Sequence, residues 1–312
     1  MINRTLVRCK VVQTAFAHLQ NTSSLSIAKA RKDLLNRFAD VYDLYALLLL
    51  FSTEITTYGE NTISEAINRA RATHTNYTPN YRFVRNRWAE QVFQNRQLRQ
   101  IVTDEHLSWE AGMEAVSAIY KEIIESRAYS DYMSADDSYE NDKQIWRKIY
   151  TDILPDNTVL VTALDEMELR LDHQNWPTDL DYALSYVFKT VKQFREENGA
   201  DQELLKMFDN DEELDFGQQL ITDVLTHYEE YNVLIDKSLK NWDPDRIAWM
   251  DRIIMLVAIS ELVSQPAIAI EITMNEYIEL AKEYSGDKDY LFINGILDEV
   301  VRELKRQEKI FK

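Results

Sequence analysis

The chain has 312 residues, a net charge of −18, six glycines, five prolines and one cysteine. That length buries a core without a disulfide or metal staple, and the scarcity of Gly and Pro excludes a sheet-rich or loop-rich fold. The abundance of Leu, Ala, Glu, Lys and Arg predicts an all-α protein.

Charge is unevenly distributed. Residues 1–100 hold 14 basic and 7 acidic side chains, and residues 101–312 hold 21 basic and 46 acidic. Residues 1–37 carry seven Lys or Arg against a single Asp33. Screening confines a local field to about 8 Å at physiological salt, so a basic N-terminal patch can act on an acidic protein. Cys9 cannot form an internal bridge and suits a reducing compartment. Met1–Gln20 has no apolar h-region, and the longest apolar run, Leu44–Phe51, is too short to span a bilayer. A cytoplasmic protein with no membrane contact is expected.

The first predicted helix, Asn3–Gln20, carries Ile2, Leu6, Cys9, Phe16 and Leu19 as a core stripe. Arg4, Arg8, Val11, Ala15 and His18 lie on a second face, with Lys10 off it. A second helix is expected from Ile27 to about Thr57, stopped by Gly59-Glu60-Asn61-Thr62, with a short helix over 62–73. Tyr81–Gln100 interleaves Arg82, Arg85, Arg87, Arg96 and Arg99 with Tyr81, Phe83, Trp88 and Phe93. Tyr81, Val84, Trp88 and Val92 keep helical spacing, which points to core packing with arginines outside. The same mixture is also a second surface able to hold single-stranded RNA by pairing and stacking. Residues 101–200 read as acidic and helical, with Ser130–Asp142 as the segment poorest in aliphatics and expected to be disordered.

Phe216–Lys240 is expected as one helix. Asp243 and Pro244 then suit the start of the next, whose residues Ile247–Leu262 are apolar on nearly every side, the mark of a helix buried in a bundle. Ile270–Tyr284 is amphipathic, with Gly286 as its stop. The last helix carries Ile293, Ile296, Leu297, Val300, Val301 and Leu304 on one stripe, with a basic tail suited to its dipole. Asn294-Gly295 interrupts that stripe, and the missing Cβ of Gly295 is expected to permit close helix packing. Enzyme signatures are lacking: no Gly-rich phosphate loop, GxSxG or HExxH occurs, and none of the five histidines has a Glu three residues before it. Asp215-Phe216-Gly217 is a coincidental match to a kinase motif. No cofactor or metal is expected.

Met274-Asn275-Glu276-Tyr277-Ile278-Glu279-Leu280-Ala281-Lys282, followed by Phe292-Ile293-Asn294-Gly295-Ile296-Leu297-Asp298, resembles the C-terminal signature of the NusB family. Asp251–Leu262 resembles its central helix. The resemblance covers about Phe216–Val301, and the length looks like the longer form found in the Bacteroidetes group. It implies a helical bundle with a large helical insertion. Residues 1–60 would be the N-terminal helices of the RNA-binding core, 61–199 the insertion and 200–312 the C-terminal core. It also implies a non-enzymatic antitermination factor that binds single-stranded boxA leader RNA with a ribosomal small-subunit protein, NusE. With other Nus factors it would keep the RNA polymerase elongation complex termination-resistant, chiefly in ribosomal RNA transcription. A methyltransferase carrying a similar domain is not expected, because no stretch of this sequence reads as a cofactor-binding α/β domain and its glycines are missing.

Carried onto this sequence, the RNA contacts implied are Arg4, Arg8, Lys10 and His18 on the first helix, and Lys288, Tyr290, Phe292 and Asn294 around the start of the last. Phe292 is the residue implied for base stacking, with core packing beside Ile293 as its alternative. Asn275 and Asn294 stay open between reading a base edge and satisfying buried backbone. Arg246, Asp251 and Glu261 interrupt the central helix and mark the protein-partner face. Reversing Arg4 and Arg8 to Glu together is expected to abolish RNA binding without loss of thermal stability. Two rival readings are a helical protein-interaction scaffold that has lost RNA binding and a homodimer that hides the RNA face.

Overall fold

The computed structural model describes residues 1–20, 25–171, 173, 175–239, 247–285 and 289–311. The expected cap at Asp243–Pro244 and the stop at Gly286 lie outside them. Among the described residues every regular element is helical: α1 (Arg4–Leu19), α2 (Ile27–Thr73), α3 (Arg87–Gln94), α4 (Arg96–Asp104), α5 (Met113–Glu125), α6 (Arg127–Ser134), α7 (Tyr139–Lys148), α8 (Thr158–Leu171), α9 (Trp176–Gln193), α10 (Glu212–Thr226), α11 (Tyr228–Ser238), α12 (Trp249–Ser264), α13 (Ile270–Tyr284) and α14 (Asp289–Arg306). None is long and apolar enough to cross a membrane.

The chain forms two compact units, one of residues 1–38 with 208–312, the other of residues 39–207. This division falls at other positions than the boundaries expected at 60 and 200, and α2 does not stop at Gly59. That glycine is buried inside the helix, where a Cβ would stand 2.7 Å from both the Tyr120 ring and Val84. It is a packing glycine rather than a terminator.

In the first unit α12 is the central rod. It packs against α1, α10, α11, α13 and α14, and Ile253 through Leu262 are buried without a break, as its all-round apolar character predicts. The expected helix 216–240 is divided at His227 into α10 and α11. Asp223 ties this corner together. Its Oδ2 accepts from Ser260 Oγ (2.6 Å) and Tyr231 OH (2.8 Å), and its Oδ1 lies 3.0 Å from His227 Nδ1. The serine bonds the carboxylate and not the imidazole, so this trio is structural. Gly295 is exposed on α14, and an added Cβ would have nothing within 4 Å among the described residues. The close packing expected there is absent.

The second unit is built around aromatic side chains. Trp88, Trp146, Tyr150 and Phe194 meet at ring-centroid distances of 5.6–6.4 Å, and Phe83 stacks on Trp146 at 5.8 Å. Trp88 and Val92 are buried, Tyr81 and Val84 are half-buried, and Arg85 and Arg99 are exposed, so the core packing read from 81–100 holds most fully in α3, while 81–86 is not helical. The Ser130–Asp142 segment is ordered as the end of α6 and the start of α7. Asp142 pins it by accepting from Tyr132 OH (2.7 Å) and Arg87 Nε (2.7 Å), polar bonds that aliphatic content does not reveal.

Candidate nucleic-acid interface

α1 begins where Asn3 caps it, its side chain accepting from the Leu6 N–H at 3.0 Å. From Leu6 through Ala15 every residue is then buried. The middle of the second face, Arg8, Val11 and Ala15, is inside the bundle, because α1 packs on α10 and α12 at once. Arg8 is 3 % exposed. Its Nε and one terminal nitrogen each donate to Glu261 at 2.8 Å, its other terminal nitrogen lies 3.2 Å from Glu276, and its Cζ sits 5.5 Å from the Phe216 ring centre.

Glu261 is fully buried and accepts two hydrogen bonds on each oxygen. Arg8 supplies one to each, Tyr277 OH adds one at 3.0 Å and Thr273 Oγ1 another at 2.9 Å. Burial works against the Arg8 charge, but the hydrogen bond and charge of Glu261 hold its pKa above the ordinary guanidinium value. Burial, followed by the Glu261 charge, raises Tyr277 well above the phenol range, which keeps it a donor. Glu261 therefore faces the core and is a correction to the partner face read from sequence. Asp251 is likewise buried and accepts from Ser285 Oγ. Arg246, the third residue of that set, lies outside the described residues.

Lys10 is also a correction, being fully buried with its Nζ donating to Gln13 Oε1 at 3.1 Å. Gln13 Nε2 in turn donates to Tyr284 OH at 2.8 Å, and that hydroxyl lies 3.1 Å from Cys9 Sγ. These contacts lay α1 along α13, with Thr5 and Arg8 at Glu276 and Cys9 and Gln13 at Tyr284. His18 is half-buried, and its Nε2 lies 2.8 Å from Asp33 Oδ2.

Arg4 alone of the first-helix set is exposed, with its Cζ 5.4 Å from the Phe216 ring centre. At the start of α14, Tyr290, Phe292 and Asn294 are half-buried, Leu291 is 59 % exposed, and Lys282 Nζ stands 5.4 Å from the Tyr290 ring centre. Lys288 lies outside the described residues. Single-residue reasoning missed Lys29 and Lys32 at the start of α2, which are exposed and have no carboxylate partner among the described residues. The signal for them was present in the basic excess of residues 1–37. Arg31, between them, donates to Gln218.

The model of the NusB family matches residues 181–302. The transcription antitermination protein NusB of Bacillus pumilus is 38% identical over 99 residues, 32% of this chain and 76% of that protein. Its namesake in Ligilactobacillus salivarius is 42% identical over 101 residues, with the same coverage of each chain. That of Bacillus licheniformis is 34% identical over 128 residues, 41% of this chain and 97% of its own length. No solved structure matches the chain. On relatives matched over most of their own length, the chain belongs to the NusB family.

Proposed function

We propose that the chain is a transcription antitermination factor of the long Bacteroidetes form. It acts in the cytoplasm, binds single-stranded boxA-type leader RNA together with the ribosomal protein NusE, and joins the RNA polymerase elongation complex with other Nus factors. It serves ribosomal RNA transcription by binding, not by catalysis. Kinship with antitermination proteins supports the reading. The observation that carries it to a site is Gly295. A helical glycine costs about 1 kcal/mol relative to alanine, and here no described neighbour explains it. An open backbone beside Phe292 and Asn294 suits close approach of a nucleotide. Arg4, Lys29 and Lys32 supply exposed charge for phosphates, while Arg8 and Lys10 hold α1 in place.

The test is titration of a short boxA-like RNA across salt, with and without the ribosomal protein. Sequence-selective binding that tightens with the protein and weakens in Gly295→Gln and Arg4→Glu is expected. Absence of binding in both conditions would refute the RNA reading. The second reading, a protein-interaction scaffold of the same fold, draws on the burial of two of the seven N-terminal cations and predicts that absence. Sedimentation with and without RNA tests the homodimer.

A further inference from the structure

The stretch Arg69–Arg99, within the second unit, carries seven arginines and one acidic residue, Glu90, in a chain of net charge −18. Three of these arginines serve the fold. Arg82 donates to the carbonyls of Met133, Ala135 and Asp136, Arg87 pairs with Asp142 and Asp137, and Arg96 pairs with Asp201. Arg71, Arg85 and Arg99 are exposed and have no carboxylate partner among the described residues, although acidic side chains outnumber basic ones.

Two of the three stand over an aromatic ring, and the third lines a groove that an aromatic side chain also lines. Arg85 Cζ lies 4.2 Å from the centre of the Tyr81 ring. Arg99 Cζ lies 5.2 Å from that of Phe93, which is 54 % exposed, and Arg99 Nε donates to the Phe93 carbonyl at 2.8 Å. Arg71 lines an open groove of about 690 Å³ with His74, Asn76 and Tyr77, and Tyr77 is 44 % exposed. The stations follow one another along the chain. Pro79 lines the groove, Tyr81 is two residues on and so within about 7 Å, and the eight residues of α3 carry the chain about 12 Å further.

Guanidinium groups without ionic partners attract phosphates, and bases stack on aromatic faces and on guanidinium planes. A guanidinium laid on a ring keeps its outer face for a base. We propose that Arg69–Arg99 is a second contact surface for single-stranded RNA, with Arg71, Arg85 and Arg99 on phosphates and Tyr77 and Phe93 beneath bases. This rests on the RNA reading above and extends it to a different part of the chain.

The experiment uses the full chain and two labelled RNAs, a 12-nucleotide boxA-like strand and a 30-nucleotide strand that extends it. The variants are Arg71→Gln/Arg85→Gln/Arg99→Gln, Tyr77→Ala/Phe93→Ala and Arg4→Gln, each checked for an unchanged thermal midpoint. The triple and the double variant are each expected to weaken the longer RNA at least tenfold. The triple flattens its salt dependence by about 2 in slope, at about 0.7 per lost single-strand phosphate contact. Unchanged affinity for the longer RNA in both, with Arg4→Gln still weakening the short strand, overturns the second surface and leaves the proposed function standing. No RNA binding by the unaltered chain overturns both. If the triple variant loses polyglutamate binding in parallel and the double variant changes nothing, the surface takes acidic peptides and the proposal is overturned.

Discussion

Arg8 shows how a cation expected at a surface becomes part of a core. With Arg8 truncated, Glu261 keeps its burial and loses two of its four donors. Breaking a buried pair in this way costs about 3–5 kcal/mol, so Arg8→Ala should lower stability by that amount in urea unfolding. Arg8→Lys should not restore it, because an ammonium cannot donate in the same two-pronged geometry. The double reversal of Arg4 and Arg8 therefore disrupts the fold, contrary to the sequence expectation, and Arg4→Glu alone is the clean probe. In the second unit, burial pushes the Asp43 carboxyl up to about 7, opposed by the charge of His173 and aided by Glu105 and Asp40. Between its unfolded value near 4 and about 7 the folded chain holds a proton that the unfolded chain has released, so stability falls as pH rises through that window. Burial would lower His173, but its hydrogen bond to Asp40 and the Asp40 and Asp43 charges raise it. Its contribution is present below about 6.5 and is lost as pH climbs through the raised value, the same direction. Thermal midpoints measured from pH 5 to pH 8 should fall, and Asp43→Asn should flatten the fall.

Two glycines in helices have opposite meanings at the scale of the element. Gly59→Ala places a methyl 2.7 Å from Tyr120 and Val84. Overpacking of that kind costs about 1–3 kcal/mol and is only partly offset by the better helix propensity of alanine. Gly295→Ala meets nothing described and should stabilise by about 1 kcal/mol. Parallel denaturant titrations of the two variants should move in opposite directions. From sequence the two looked reversed, Gly59 as a stop and Gly295 as a packing contact. Period and composition place a glycine on a helix, but only the neighbouring elements show whether its absent Cβ matters. The helices themselves were largely legible. α12, α13 and the register of α14 follow from apolar spacing, whereas the divided α10 and α11 and the ordered 130–142 segment depend on polar ties at Asp223 and Asp142 that spacing does not encode.

For the whole molecule the proposed function asks a chain of net charge −18 to approach a polyanion. Screening permits it, since a phosphate feels charges within about 8 Å and not the total. RNA affinity should fall linearly with salt on logarithmic axes, and neutralising Lys29 or Lys32 should each reduce the slope by about 0.7. An unchanged slope would place the phosphates elsewhere. The all-helical class, the buried central helix and the family signature at 274–298 could be read in one dimension, because they depend on composition, period and local residue order. The burial of Arg8, Lys10 and Glu261 and the unbroken course of α2 could not. Whether a charged side chain meets water or a buried counter-charge depends on elements hundreds of residues away, and Arg8 and Glu261 are joined across 253 positions of sequence.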